Sequence, residues 1–157
     1  MEPPYIEWSE KFIVGHKGLD GEHRRFVDLI NATYVAVASS QAQNVVSRLL
    51  DGIMDLAGQH FRRENAILIQ INRSPIPSRV DRHSFIKVMV DAAIDKHIAN
   101  HALSLPRLDS IIRDIRSEVA SSQPLVGNDL KDWFVGHAIV HDAHLGPVFQ
   151  AINSPTA

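Results

Sequence analysis

The 157-residue chain contains no cysteine. Disulfides, zinc knuckles, iron–sulfur ligation and thiolate catalysis are therefore excluded together, and a reducing compartment fits. Long apolar runs are also missing. The longest are short patches such as Tyr34 to Ala38, well below the roughly 18 to 20 residues that a spanning helix needs. A soluble protein with no membrane partner is expected. Charge of one sign is not concentrated anywhere: 16 basic and 18 acidic residues give a formal net charge of -2, with no basic run to serve as a footprint for nucleic acid. Met1 to Phe12 carries Glu2, Glu7 and Glu10 and lacks the apolar segment of a secretory signal, which points to the cytoplasm. Aromatics are few, with two tyrosines and two tryptophans, whereas histidines number nine.

A hydrophobic content of 45% in a chain of this length suits one domain, 1–157, with a single substantial core. Apolar residues recur at steps of three and four, with no sustained strand-like alternation, so the class is all-α. Four segments emerge. The first runs from about Asp20, as N-cap, to about Ser39, with Leu19, His23, Phe26, Ile30 and Val37 along one face. The second runs from about Gln43 to Asn72, its stripe being Leu49, Ile53, Leu56, His60, Glu64, Ile67 and Ile71. Arg73 to Ser78, with two prolines and two serines, reads as a loop. The third spans about Arg79 to Ala120, with a kink or restart predicted at Pro106. Ser121 to Asn128 is the last connection, and the fourth helix runs from about Asp129 to Ile152. These segments predict an antiparallel up-down-up-down four-helix bundle. Residues 1–19 form an N-terminal arm packed across it, and about 73–90 form an insertion between the second and third helices.

Every one of the four helices places at least one histidine in its apolar stripe, where a polar side chain must be bonded, paired or coordinated. A lone histidine there is most simply a core residue bonded to a backbone carbonyl. A set is different. His60 and Glu64 lie one turn apart, as do His97 and His101, so each pair can aim at one point. With His23 from the first helix and His137 and Asp142 from the fourth, five histidines and two carboxylates come from all four helices. Imidazole suits iron, copper, zinc and nickel, a carboxylate can bridge two ions, and seven ligands suit two ions better than one. The other histidines carry no such expectation: His16 in a glycine-flanked loop, His144 facing solvent, and His83 in the insertion. His141, one turn after His137 and beside Asp142, is a supporting donor or a rival ligand, with support of the site or plain packing preferred.

The order His, His-x3-Glu, His-x3-His, His-x4-Asp resembles the hemerythrin family, in particular its bacterial branch, the bacteriohemerythrins (hemerythrin-like, HHE cation-binding). Trp8, Val14-Gly15, Asp20, Asn31, Phe61, Leu130 and Trp133 also agree, so the resemblance covers almost the whole chain. It implies two non-haem iron ions (Fe2+/Fe3+) joined by an oxo or hydroxo bridge. One would be held by His97, His101 and His137 and the other by His23 and His60, with Glu64 and Asp142 bridging. In one departure, His97 follows Glu64 later than the family's usual spacing. A shorter register would use position 79 and His83, but Arg79 cannot ligate iron, so the longer register is preferred. Asn65 stands where the family often has a second glutamate and is read as surface variation.

Two histidines on one iron against three on the other would leave an open position for a small molecule. The resemblance implies that dioxygen binds there and takes up two electrons reversibly. A dry lining of residues such as Ile30, Leu56, Ile94 or Leu105 would favour its release intact. Neither the Glu-x-x-His pairs of carboxylate-rich di-iron bundles nor the zincin pattern occurs. The expectation is thus a non-enzymatic carrier or store of dioxygen. The alternatives are an oxygen or redox sensor acting through a signalling partner, and a peroxide or nitric oxide reductase served by an electron donor.

Overall fold

The computed structural model describes residues 4–73, 82–120, 128–147 and 149. Among these residues the architecture is entirely helical: α1 (Lys17–Ala38), α2 (Gln43–Arg73), α3 (Arg82–Ala120) and α4 (Asp129–Val135). A π-helical segment, Gly136–His141, and a 3-10 turn, Asp142–Leu145, extend α4.

Each helix packs on the next in sequence, and α4 also packs on α1. Contacts run in opposite directions along every neighbouring pair. Glu22 meets Arg63 while Leu29 lies beside Gly52. Asn65 meets His101 while Asp51 meets Arg116. Trp133 bonds Ser104 while His141 bonds Asn100. Phe26 faces Trp133 while His23 faces Asp142. The bundle is therefore up-down-up-down, with a short Ser39–Ala42 connection of the kind that makes antiparallel neighbours of α1 and α2.

Three local expectations need correction. α1 begins three residues before Asp20, capped by His16, whose Nδ1 accepts the Leu19 N–H at 3.3 Å. Asp20 instead accepts the Val14 N–H at 2.8 Å. Gly15, at φ 85, turns the chain between these two bonds in a region that a side chain rarely adopts. At Pro106 the helix does not restart, one of the two outcomes expected there, and α3 runs on through it. The proline removes only the donor for the Ala102 carbonyl, and Ala102 is exposed, so water can replace it. The fourth helix is not a single α-helix, because it changes to π geometry at Gly136. Residues 74–81, including Arg79, the connection 121–127, the predicted end at Ile152 and the side chain of His83 lie outside the described residues. No helix among the described residues is long and apolar enough to cross a membrane.

The core forms two apolar layers. The larger contains Phe26, Ile30, Leu50, Ile53, Leu56, Leu108, Ile112, Leu130, Trp133 and Phe134. The smaller contains Val14, Leu19, Leu68, Ile94, Leu145 and Phe149. Along every helix a polar stretch separates them: His23 between Leu19 and Phe26, His60 and Glu64 between Leu56 and Leu68, His97 and His101 between Ile94 and Leu108, and His137 and Asp142 between Phe134 and Leu145. The residues before α1 close one flank. Asn31 clamps Ile6 by accepting its N–H at 2.7 Å and donating to its carbonyl at 2.9 Å, and Arg24 lies 4.0 Å over the Trp8 ring.

Leu50 is fully buried in the larger layer, whereas Val35 is 60% exposed. Leu50→Ala is expected to lower the unfolding free energy by about 2–5 kcal/mol, and Val35→Ala to change it by less than about 0.5 kcal/mol. Urea unfolding followed by circular dichroism checks both, and equal losses would contradict the assignment of Leu50 to the core.

Candidate metal centre

All seven side chains singled out in the sequence meet in the polar layer between the two apolar ones. The ligand-capable atoms form two groups, His23, His60, His137 and Asp142, and Glu64, His97, His101 and Asp142, each lying within 4.8 Å of one another. All are buried, with His23, His60, Glu64 and Asp142 showing 0% exposure. Asp142 is common to both groups. His137 is in the first of these groups, and its ring lies about as near to that of His101, at 5.5 Å, as to that of His60, at 5.3 Å.

The helices aim these groups by simple periodicity, with one exception. His60 and Glu64, like His97 and His101, are four residues apart and share a face. His137 and Asp142 are five apart, which on an α-helix would turn one about 140° away from the other. The π segment removes this mismatch. Its turn closes over five residues, so His137 and Asp142 project the same way, with Asp142 Oδ2 3.0 Å from His137 Nε2. The His-x4-Asp spacing carried that signal in the sequence.

Inward, the rings present Nε2. His23 Nε2 is 2.9 Å from Asp142 Oδ2, and His101 and His97 Nε2 lie 3.1 and 3.3 Å from Glu64 Oε2. Outward, Nδ1 is held in place. His23 Nδ1 donates to the Phe12 carbonyl at 2.6 Å, His60 Nδ1 to Glu22 Oε2 at 3.0 Å, and His101 Nδ1 to Asn65 Oδ1 at 2.7 Å. The backbone of His141 lies beside the His97 ring. A bonded Nδ1–H fixes the tautomer that leaves the Nε2 lone pair pointing inward, the arrangement in which metal-binding histidines are held.

Two of these outer partners were not legible. Glu22, 5% exposed and joined to Arg63 at 2.6 Å, had no motif to mark it. Its signal was a charged residue beside His23, on the face that turns toward α2. Asn65, read as surface variation, is instead half-buried and bonded to His101. His16 is a helix cap, His144 is exposed, and His141 bonds Asn100 at 3.1 Å while staying outside both groups.

The charge pattern calls for cations. Burial works against ionisation of Glu64, yet the His101 and His97 rings beside it hold its carboxyl down at about 2. Asp142 is likewise buried, and His137, His23 and His60 hold it well below the usual carboxylate range. Burial alone would lower His60, but Asp142 and Glu22 raise it to about 9. Burial lowers His137. Both Glu64 oxygens, Asp142 Oδ1 and the Nε2 atoms of His97 and His101 have no hydrogen-bond partner, and the Nε2 atoms of His60 and His137 face each other at 3.2 Å. Two inward lone pairs at that distance repel unless a proton or a metal ion lies between them. Orphaned oxygen and nitrogen donors in a dry, negatively charged layer fit a pair of metal ions, and the imidazole-rich set suits first-row transition metals.

The chain is similar to a bacteriohemerythrin of Ralstonia nicotianae, 24% identical over 143 aligned residues that cover 88% of this chain and 85% of that protein. No protein-family profile matches the chain, and no solved structure does. The relative supports a hemerythrin-like, metal-binding character.

Without metal, the buried layer makes folding depend on pH in two opposite ways. Glu64, at about 2 in the fold against 4.5 otherwise, contributes stability present above pH 4.5 and lost as pH falls toward 2. His60, at about 9 against 6.5, contributes stability present below pH 6.5 and lost as pH rises through 9. The melting temperature of the metal-free protein should therefore peak between pH 4.5 and 6.5. A melting temperature still rising at pH 9 would contradict the charge pattern.

Proposed function

We propose that the chain is a non-haem di-iron protein that binds dioxygen reversibly, as a carrier or store. The observation that carries this reading is the donor set itself: five histidine Nε2 atoms turned onto two fully buried carboxylates, in a chain similar over 88% of its length to a bacteriohemerythrin. His23, His60, His97, His101 and His137, together with Glu64 and Asp142, would hold the two irons. Bound there, the iron pair would supply reversible exchange of two electrons with dioxygen.

The chain's own residues favour binding over further chemistry. Five imidazoles against two carboxylates place less negative charge on the metals than the glutamate-rich sets of di-iron oxidases, and so give less support to highly oxidised iron. The hydrogen bonds from Nδ1 to Phe12, Glu22 and Asn65 hold three rings in fixed orientations, so little rearrangement accompanies a change of metal charge. Ile30 and Leu56 from one apolar layer and Ile94 from the other lie above and below the polar layer and keep water out. With water excluded, protonation of the bound molecule is disfavoured, which is what release of intact dioxygen requires. Leu105 is only partly buried and belongs to the rim of the larger layer.

The protein loaded anaerobically with ferrous iron is expected to hold two irons per chain, and to gain on admission of air a visible charge-transfer band that fades on deoxygenation. Iron without such a band, together with multiple turnovers of peroxide or nitric oxide under a reductant, would favour an enzyme instead. His101→Ala should lose iron from its half of the centre, whereas His144→Ala, on an exposed position, should keep the full complement. Metal analysis after desalting decides between them, and full iron retention by His101→Ala would overturn the ligand set.

A further inference from the structure

We propose that metal ions enter and leave the centre through the seam between α3 and the π segment, with the hydrogen-bonded pair Asn100 and His141 as its gate. The inference rests on the two-metal reading of the site.

Exposure locates the opening. The side chains of His23, His60, Glu64 and Asp142 are 0% exposed, while those of His97, His101 and His137 retain 7%, 4% and 2%. The apolar layers close the centre above and below. On the α1 side, the Phe12 carbonyl lies against His23, and Glu22 with Arg63 lies against His60. Among the described residues two seams remain, both beside α3. The one facing α2 is filled by the Phe61 ring stacked on His101 at 4.2 Å and by Asn65 bonded to His101 at 2.7 Å. The one facing the π segment is spanned by a longer contact, Asn100 Nδ2 to His141 Nδ1 at 3.1 Å, between two half-buried side chains.

This pair stands directly over the least buried donors. Asn100 is one turn from His97 on the same helix face. The backbone of His141 lies beside the His97 ring, and the His141 ring is 6.2 Å from that of His137. The π turn places His141 at the surface while the next residue, Asp142, is fully buried. The contact between Asn100 and His141 is the barrier that a cation must part, and opening it uncovers the donors beneath.

A gate changes how fast ions pass and leaves unchanged how tightly they are held. Asn100→Ala and His141→Ala are each expected to speed both cobalt(II) uptake by the metal-free protein and its loss to excess EDTA by about tenfold, or about 1.4 kcal/mol on the barrier. The cobalt Kd should stay the same. Both substitutions break one contact, so the double variant should be no faster than either single one. Stopped-flow absorbance of the cobalt bands gives both rates, and equilibrium titration gives Kd. Unaltered rates with two cobalt ions bound would overturn the gate alone. A weakened Kd in His141→Ala would overturn it by making His141 a ligand, and equal acceleration by Asn65→Ala, which removes the contact across the seam facing α2, would move the port to that seam. A protein that takes up no cobalt at equilibrium would overturn the two-metal reading and the port with it.

Discussion

Two carboxylates with no exposed surface, Glu64 and Asp142, sit in the middle of a helical bundle, and the rest of the structure is arranged around that cost. An ionised carboxylate in a dry interior is tolerated only when positive charge and hydrogen-bond donors surround it. Here the surroundings are five imidazoles, which supply positive charge either as protonated rings or by holding metal ions. Both forms answer the same electrostatic demand. The metal-free and metal-bound states therefore compete for one set of nitrogen atoms, and metal uptake must displace protons.

The bundle meets that demand by stacking. Apolar residues above and below the polar layer exclude water, which strengthens each charge–donor interaction inside it and raises the penalty for any group left unpaired. The larger apolar layer supplies most of the packing, and the smaller one, built from Leu19, Leu68, Ile94 and Leu145 with Val14 and Phe149, closes the opposite end. The arm is part of this closure as well as of the centre. Asn31 fastens it at Ile6, and its Phe12 carbonyl then accepts the Nδ1–H of His23, so docking of the arm and orientation of a metal-facing ring are mechanically joined.

The outer hydrogen bonds make the two halves of the layer unequal. His60 leans on a carboxylate, Glu22, that is itself paired with Arg63, whereas His101 leans on the neutral amide of Asn65. A carboxylate acceptor makes an imidazole a stronger donor to metal than an amide does. Electronic asymmetry is thus built in one bond away from the donor atoms, at positions where no ligand motif points.

Much of the architecture was readable from sequence, because helical periodicity and ligand spacing are local properties. The apolar stripes marked four helices, and steps of four placed His60 with Glu64 and His97 with His101 on shared faces. The His-x4-Asp step fits a five-residue turn, but the turn itself is seen only in the structure. Helix starts were less legible: capping by His16 instead of Asp20 depends on a turn at Gly15 that positions both side chains. What only the tertiary structure decided is which elements come together and in what geometry. It bent the fourth helix into a π turn that brings Asp142 into both groups, and it brought Glu22, Asn65 and the Phe12 carbonyl to rings on other elements. The sequence by itself determined the helices and the donor types, since these follow from side-chain chemistry and repeat distance. The partners of those donors depend on how four helices pack, and no local pattern encodes a contact across that space.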